Sequence, residues 1–248
     1  MFFPVNQDRR PDRAPYITWV LIGLNSLIWI SLALMGKNSL AIYEYGFRPG
    51  EWTLETLFAS MFLHSGIFHV GGNMWFLWMF GPKLEERLGH FLFLPAYLLC
   101  GVGAACMHAV FSHGSMVPMV GASGAISGVA GMYFVLLPRS PFRLWLFLGW
   151  WFRKGFDVMT RGAVGAWIGE QFVLGLLAGF GARSGVAFWA HVGGFLTGFA
   201  IAGALFLKAD AAEREVILRP TQLTADERFE ISADTVEKPS DLTTLRLS

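Results

Sequence analysis

The sequence predicts an all-α polytopic membrane protein, with six transmembrane helices in one bundle and an interfacial segment between the fourth and fifth. Three observations carry that prediction. Of the 248 residues 54% are hydrophobic and only 15% charged, with a mean hydropathy of +0.48, whereas a soluble domain carries about 25% charged residues. Nine of the 18 acidic residues fall after residue 208, so the remainder is poorer still in charge. Six stretches approach the roughly 20 apolar residues that a bilayer core of about 30 Å requires.

Taken in order, residues 1–15 are polar and read as a cytoplasmic segment. No short apolar core followed by a small-residue cleavage site is present there, so the first span is expected to stay in the mature protein. The spans are Tyr16–Met35, Ala59–Gly81, Phe91–Phe111, Met119–Pro138, Gly162–Phe180 and Val186–Leu207, which makes 16–207 one membrane domain. The stretch Phe142–Phe152 is too short to span and contains Arg143; its Trp150 and Trp151 beside Arg153 and Lys154 read as an interfacial anchor. Residues 208–248 form a polar tail, expected to be a mobile cytoplasmic extension because it has too few apolar residues for a core.

Lysines and arginines orient the bundle. With both termini and the loops at 82–90 and 139–161 on one side, that side holds 16 of the 19 basic residues, which places both termini in the cytoplasm. A net charge of +1 gives no footprint for nucleic acid. Cys100 and Cys106 sit six apart on one span and face away from each other; a buried, inert role is expected for both.

Polar groups inside a membrane are costly and often do chemistry. The second span carries "HSGIFHVGGN" with His64, His69 and Asn73, the fourth carries "GASG" with Ser123, and the sixth carries "AHVGGFLTG" with His191. All three spans enter from the outer face, so their polar groups share one depth. His69 and Asn73 are four apart and share a helix face. His64 and His69, five apart, would diverge by about 140° on one helix, which argues against a paired-histidine metal site; no metal and no cofactor are expected. Gly194 and Gly198 on the sixth span, and Gly121, Gly124 and Gly128 on the fourth, allow the close backbone approach that glycine stripes give in lipid. That approach would bring His191 to Ser123. A serine nucleophile needs a base within hydrogen-bond reach and donors aimed at the oxyanion. His191 is the candidate base; the Ser123 amide, His69 and Asn73 are the candidate donors. No carboxylate is placed to orient His191, so the arrangement reads as a dyad. Elsewhere, His90 and His113 are expected to be solvated, His108 to satisfy a local acceptor, and "GPKLEERLG" to form an ion-pair knot. Glu170 is expected to be interhelical glue.

These residues resemble the rhomboid family of intramembrane serine proteases over roughly 16–207. "HSGIFHVGGNMWFLWMFGPKLEERLG" resembles the family's H-x4-H-x3-N span and following turn, "GASG" its G-x-S-G, and "AHVGGFLTG" its final A-H-x-x-G-x-x-x-G. The resemblance implies Ser123 as nucleophile, His191 as general base, and His69 and Asn73 as oxyanion support. It also implies a six-span bundle around a water-filled cavity open to the outer face, in a bacterial inner (plasma) membrane. The implied partners are the lipid bilayer and transmembrane protein substrates, cut near their outer ends beside a small residue and a helix-weakening sequence. One turn after Ser123, where some members carry a tyrosine that stacks on the histidine, this chain has Ser127. Two other readings stand beside the protease: an inactive binder of transmembrane clients, and a proton-coupled transporter using Glu170.

Overall fold

The computed structural model describes residues 2–7, 13–138, 140–148, 152–179 and 186–209, together with 211 and 214. Eight α-helices lie among them: α1 (Tyr16–Leu34), α2 (Asn38–Tyr45), α3 (Leu54–Ala59), α4 (Ile67–Leu88), α5 (His90–Phe111), α6 (Ser123–Leu136), α7 (Thr160–Gly179) and α8 (Phe188–Lys208). Among the described residues, α1, α5 and α8 are long and apolar enough to cross a membrane, and α6 is a shorter apolar helix. Helix α4 ends in Lys83, Glu85, Glu86 and Arg87, and α7 carries Arg161, Glu170 and Gln171, which lowers the hydropathy of both.

The expected interfacial segment takes a different form. Strands β1 (Phe2–Gln7), β2 (Pro141–Leu148) and β3 (Phe152–Met159) make a three-stranded antiparallel sheet in that order. The N-terminal segment is thereby tied to the connection between α6 and α7. The stretch is too short to span as a helix, and strand pairing satisfies its backbone groups. Trp150 and Trp151 lie outside the described residues, as does nearly all of the 208–248 tail.

The central contact is between α6 and α8, the most extensive helix pair among the described residues. Glycine is what permits it. A Cβ on Gly194 would collide with the Gly124 carbonyl oxygen, one on Gly198 with the Gly128 carbonyl, and one on Gly131 with the Phe195 carbonyl. The backbones therefore touch along about two turns of α6, and α5 packs against the same pair through Cys100, Ala104 and Gly103. Cys100 is buried as expected, but Cys106 is exposed, because the six-residue spacing turns it to the outer side of α5.

The second span begins later than hydropathy indicates. A 3-10 turn at Ser60–Phe62 precedes an extended Leu63, and Gly66 is fully extended at the N-terminus of α4 (φ −178°, ψ 175°). His64 thus sits ahead of the helix rather than on it. At the other end Gly89, with φ +77°, is the one residue joining α4 to α5, a conformation only glycine adopts readily. The preceding turn, where an ion-pair knot is expected, also ties α4 to α1. Glu85 is fully buried and accepts from the Ile17 amide (2.8 Å), the Thr18 amide (2.8 Å) and the Thr18 hydroxyl (2.6 Å). His90 is not simply solvated, since its Nδ1 lies 2.6 Å from the same carboxylate.

Candidate active site

Three helix beginnings and one helix middle build the site. Ser123 is the first residue of α6. Just before it Gly121 has φ +124°, and its amide donates to the Ser60 carbonyl at 2.9 Å. A Cβ at position 121 would stand 2.6 Å from His69 Nε2 and 3.5 Å from Asn73 Nδ2. Glycine is required there for conformation and for room. The Ala122 amide points at His64 Nε2, 3.5 Å away, and Ser127 Oγ donates to the Ser123 carbonyl at 2.7 Å.

His191 lies in the first turn of α8. Its Nε2 is 2.9 Å from Ser123 Oγ, while its Nδ1 is 2.7 Å from Gln171 Oε1 on α7. An amide oxygen can only accept, so Nδ1 carries the proton and the Nε2 lone pair faces the serine hydroxyl. That tautomer suits a base acting on Ser123. One turn from Gln171, the Trp167 ring lies 5.9 Å from the imidazole at an interplanar angle of 34°.

His69 and Asn73 occupy one face of α4, as their spacing requires. The Ser65 amide donates to His69 Nδ1 at 3.4 Å, which leaves the ring proton on Nε2, the atom facing Gly121. Asn73 is buried, and among the described residues its Nδ2 has no hydrogen-bond partner. Two N–H donors thus look toward the backbone that leads into Ser123. The expected divergence of His64 from His69 does not hold: with His64 ahead of the helix, the two rings meet edge-on at 5.1 Å. Among the described residues no three histidines, cysteines or acids gather as metal ligands.

Ser123, His191, His69, Asn73, Gly121 and Glu170 line one cavity of about 1440 Å³. Small-molecule pockets run to ≈ 300–1,000 Å³, so this one has room for a length of polypeptide. His108 lines it as well, and among the described residues its buried Nδ1 has no hydrogen-bond partner. Glu170 is exposed, so it is not glue between helices. His113 is exposed, as expected.

Comparison with known proteins places this arrangement. The family model described as "Rhomboid domain" matches residues 51–208, a stretch that contains every residue of the site. The chain belongs to the rhomboid family. It is similar to "Rhomboid protease GluP" of Bacillus subtilis (strain 168), at 29% identity over 85% of this chain and 39% of that protein. It is also similar to "RHOMBOID-like protein 6, mitochondrial" of Arabidopsis thaliana, at 30% identity over 66% of this chain and 47% of the relative. The "Putative rhomboid protease YdcA" of Bacillus subtilis (strain 168) is 31% identical over 51% of this chain and 65% of the relative. In each case the match spans less than two thirds of the relative's length.

This rhomboid is therefore an integral membrane protein of a protease family. Its motif residues, read from three separate stretches, come together around one cavity. Gln171 and Trp167 are the site residues that motif reading passes over. The one signal in the sequence is a second polar side chain beside Glu170, four residues from a tryptophan.

Proposed function

We propose that this rhomboid is a serine endopeptidase that cleaves transmembrane segments of other membrane proteins, with Ser123 as nucleophile and His191 as general base. The observation that carries the reading is the 2.9 Å approach of Ser123 Oγ to His191 Nε2 in a cavity large enough for peptide. Ser123 Oγ attacks the scissile carbonyl carbon, and its proton passes to Nε2. The carbonyl oxygen becomes an oxyanion facing the His69 Nε2–H, the Asn73 amide and the Ser123 backbone N–H, at the positive end of α6. The C–N bond then breaks, Nε2 protonates the departing nitrogen, and water hydrolyses the acyl ester by the same route in reverse.

We further propose six membrane crossings in the plasma membrane of a bacterial host, with both termini cytoplasmic and the cavity opening to the outer face. The one-sided distribution of basic residues supports that orientation. Helix α6 has 14 residues, about 21 Å at 1.5 Å each, against about 30 Å of hydrocarbon. With its far end at the opposite interface, Ser123 lies well below the near surface, where a bound transmembrane segment would be met.

The test is cleavage of a transmembrane substrate in proteoliposomes. Ser123→Ala and His191→Ala each abolish it while expression and thermal unfolding stay normal, and EDTA leaves the wild-type rate unchanged. Cleavage persisting in purified Ser123→Ala, or chelator inhibition rescued by zinc, overturns the assignment. Fractionation with reporter fusions at either terminus checks the membrane and the orientation.

A further inference from the structure

The dyad is completed from a helix that contributes no residue to the family's serine, histidine and asparagine motifs. Gln171 is buried, at 7% exposure, and its Oε1 reaches His191 Nδ1 at 2.7 Å. Trp167, one turn away on the same face of α7, places its ring 5.9 Å from the imidazole. This is within the ≈ 6 Å over which an aromatic face attracts a cation. Ser127, one turn along α6, offers no ring, and its hydroxyl is bonded to the Ser123 carbonyl. Nothing on α6 or α8 themselves is seen to hold the outer nitrogen of His191.

Given the protease reading above, on which this rests, we propose that Gln171 is a positioning residue of the catalytic site, backed by Trp167: it fixes the His191 tautomer and ring orientation through Nδ1. The physics is that of a neutral third member. A neutral imidazole carries one ring proton, and only the form with that proton on Nδ1 leaves Nε2 free to take the proton of Ser123. Gln171 Oε1 stabilises that form and continues to accept the Nδ1–H when the ring becomes an imidazolium. Unlike a carboxylate it adds no charge, so it orients the base without strengthening it electrostatically. Among the described residues the titratable groups around His191 are His69, across the cavity on α4, and Glu170, adjacent to Gln171 on α7. Neither bonds Nδ1.

The inference has a second consequence. The base sits on α8, its orienting oxygen on α7 and its nucleophile on α6. The competence of the Ser123–His191 pair therefore depends on where α7 lies, although α7 carries neither residue.

The decisive experiment compares Gln171→Met and Gln171→Glu with wild type, measuring kcat, KM, pH profile and thermal unfolding on one transmembrane substrate. Methionine keeps the length of the side chain and removes the acceptor. It should lower kcat roughly 10- to 100-fold, the size of loss seen when a partner orienting a metal-bound histidine is removed, with KM and unfolding temperature little changed. Glutamate keeps the acceptor and should restore most of that loss. Its charge favours the imidazolium, so the acidic limb of the kcat/KM profile should move to higher pH. A methionine variant with wild-type kcat overturns the inference, as does one whose loss is confined to KM or to unfolding temperature. So does a glutamate variant as slow as methionine. Ser123→Ala, run alongside, separates the two claims: if it still cleaves, the protease reading fails whatever Gln171 does.

Discussion

Asn73 Nδ2 is a buried donor with no acceptor, and leaving such a group unpaired costs about 1–3 kcal/mol. An oxyanion in the cavity would supply the acceptor, so the donor contributes more when charge develops than when it is empty. Asn73→Ala should accordingly lower kcat, by up to ~10²–10³-fold for a lost oxyanion donor, and less where His69 and the Ser123 amide remain. A rise in KM alone, at unchanged kcat, would make Asn73 a binding residue instead. Gly121 gives a sharper case. Its φ of +124° disfavours any L side chain, and a Cβ would stand 2.6 Å from His69 Nε2. Gly121→Ala should displace the histidine or the serine's leading backbone. Because ~1 Å of misplacement can cost 10²-fold in rate, kcat should fall about that far; a normal rate in the alanine variant would show that the loop and His69 move apart freely. Both residues stand within motifs that the sequence displays openly. Gln171 does not, because its partner His191 is 20 residues away on another helix, and nothing in the spacing of α7 announces which face meets α8.

At the scale of elements, the site depends on α6 and α8 touching backbone to backbone. Gly194 faces the Gly124 carbonyl and Gly198 the Gly128 carbonyl, which is the stripe-on-stripe contact anticipated from the glycine spacing. Gly194→Val inserts a branched side chain where no atom fits. Overpacking costs about 1–3 kcal/mol, but separating the helices also stretches the 2.9 Å Ser123–His191 approach. Cleavage should therefore fall much further than unfolding temperature, with Gly194→Ala between. A suitable control is Gly203→Val on α8, where a Cβ meets nothing within 4 Å. Gly175 looks equally remote in the sequence, yet a Cβ there would stand 3.1 Å from the Trp189 ring. Wild-type cleavage by Gly194→Val would remove the helix contact as the source of the dyad geometry. The helices themselves were legible because lipid imposes long apolar runs. The start of α4 was not, because Ser60–Gly66 is apolar enough to extend a span while its extended Leu63 and Gly66 break the helix. The sheet escaped hydropathy for a related reason. Pairing of Phe2–Gln7 with Pro141–Leu148 is a contact between distant stretches, and no local period records it.

Across the whole molecule, polar groups are divided by the two ends of the bundle. At the end where α4, α6 and α8 begin, Asn73 Nδ2 and His108 Nδ1 are buried without partners beside an open cavity. At the opposite end the polar groups are bound to one another. Tyr133 donates to Ser140 Oγ at 3.0 Å, Lys83 Nζ lies 3.4 Å from the same oxygen, and Glu85 holds α1 and His90. Helices α4 and α6 run through both regions, so one pair of elements carries an unsatisfied site at its start and a satisfied anchor toward its finish. Stability and activity should then separate by position along a single helix. Glu85→Ala is the test, because it strands the Ile17 and Thr18 amides and the Thr18 hydroxyl inside the protein. At about 1–3 kcal/mol for each unsatisfied group, unfolding in detergent should occur at markedly lower temperature, with Glu85→Gln intermediate because one acceptor oxygen survives. The rate per folded molecule should stay near wild type, since Glu85 lies at the far end of α4 from His69 and Asn73. The measurement is kcat normalised to active enzyme titrated with a serine-reactive phosphonate, set against the melting curve. A fall in that normalised kcat as large as the one expected for Asn73→Ala would mean that the two ends are mechanically coupled through α4, and that the division between anchor and site does not hold.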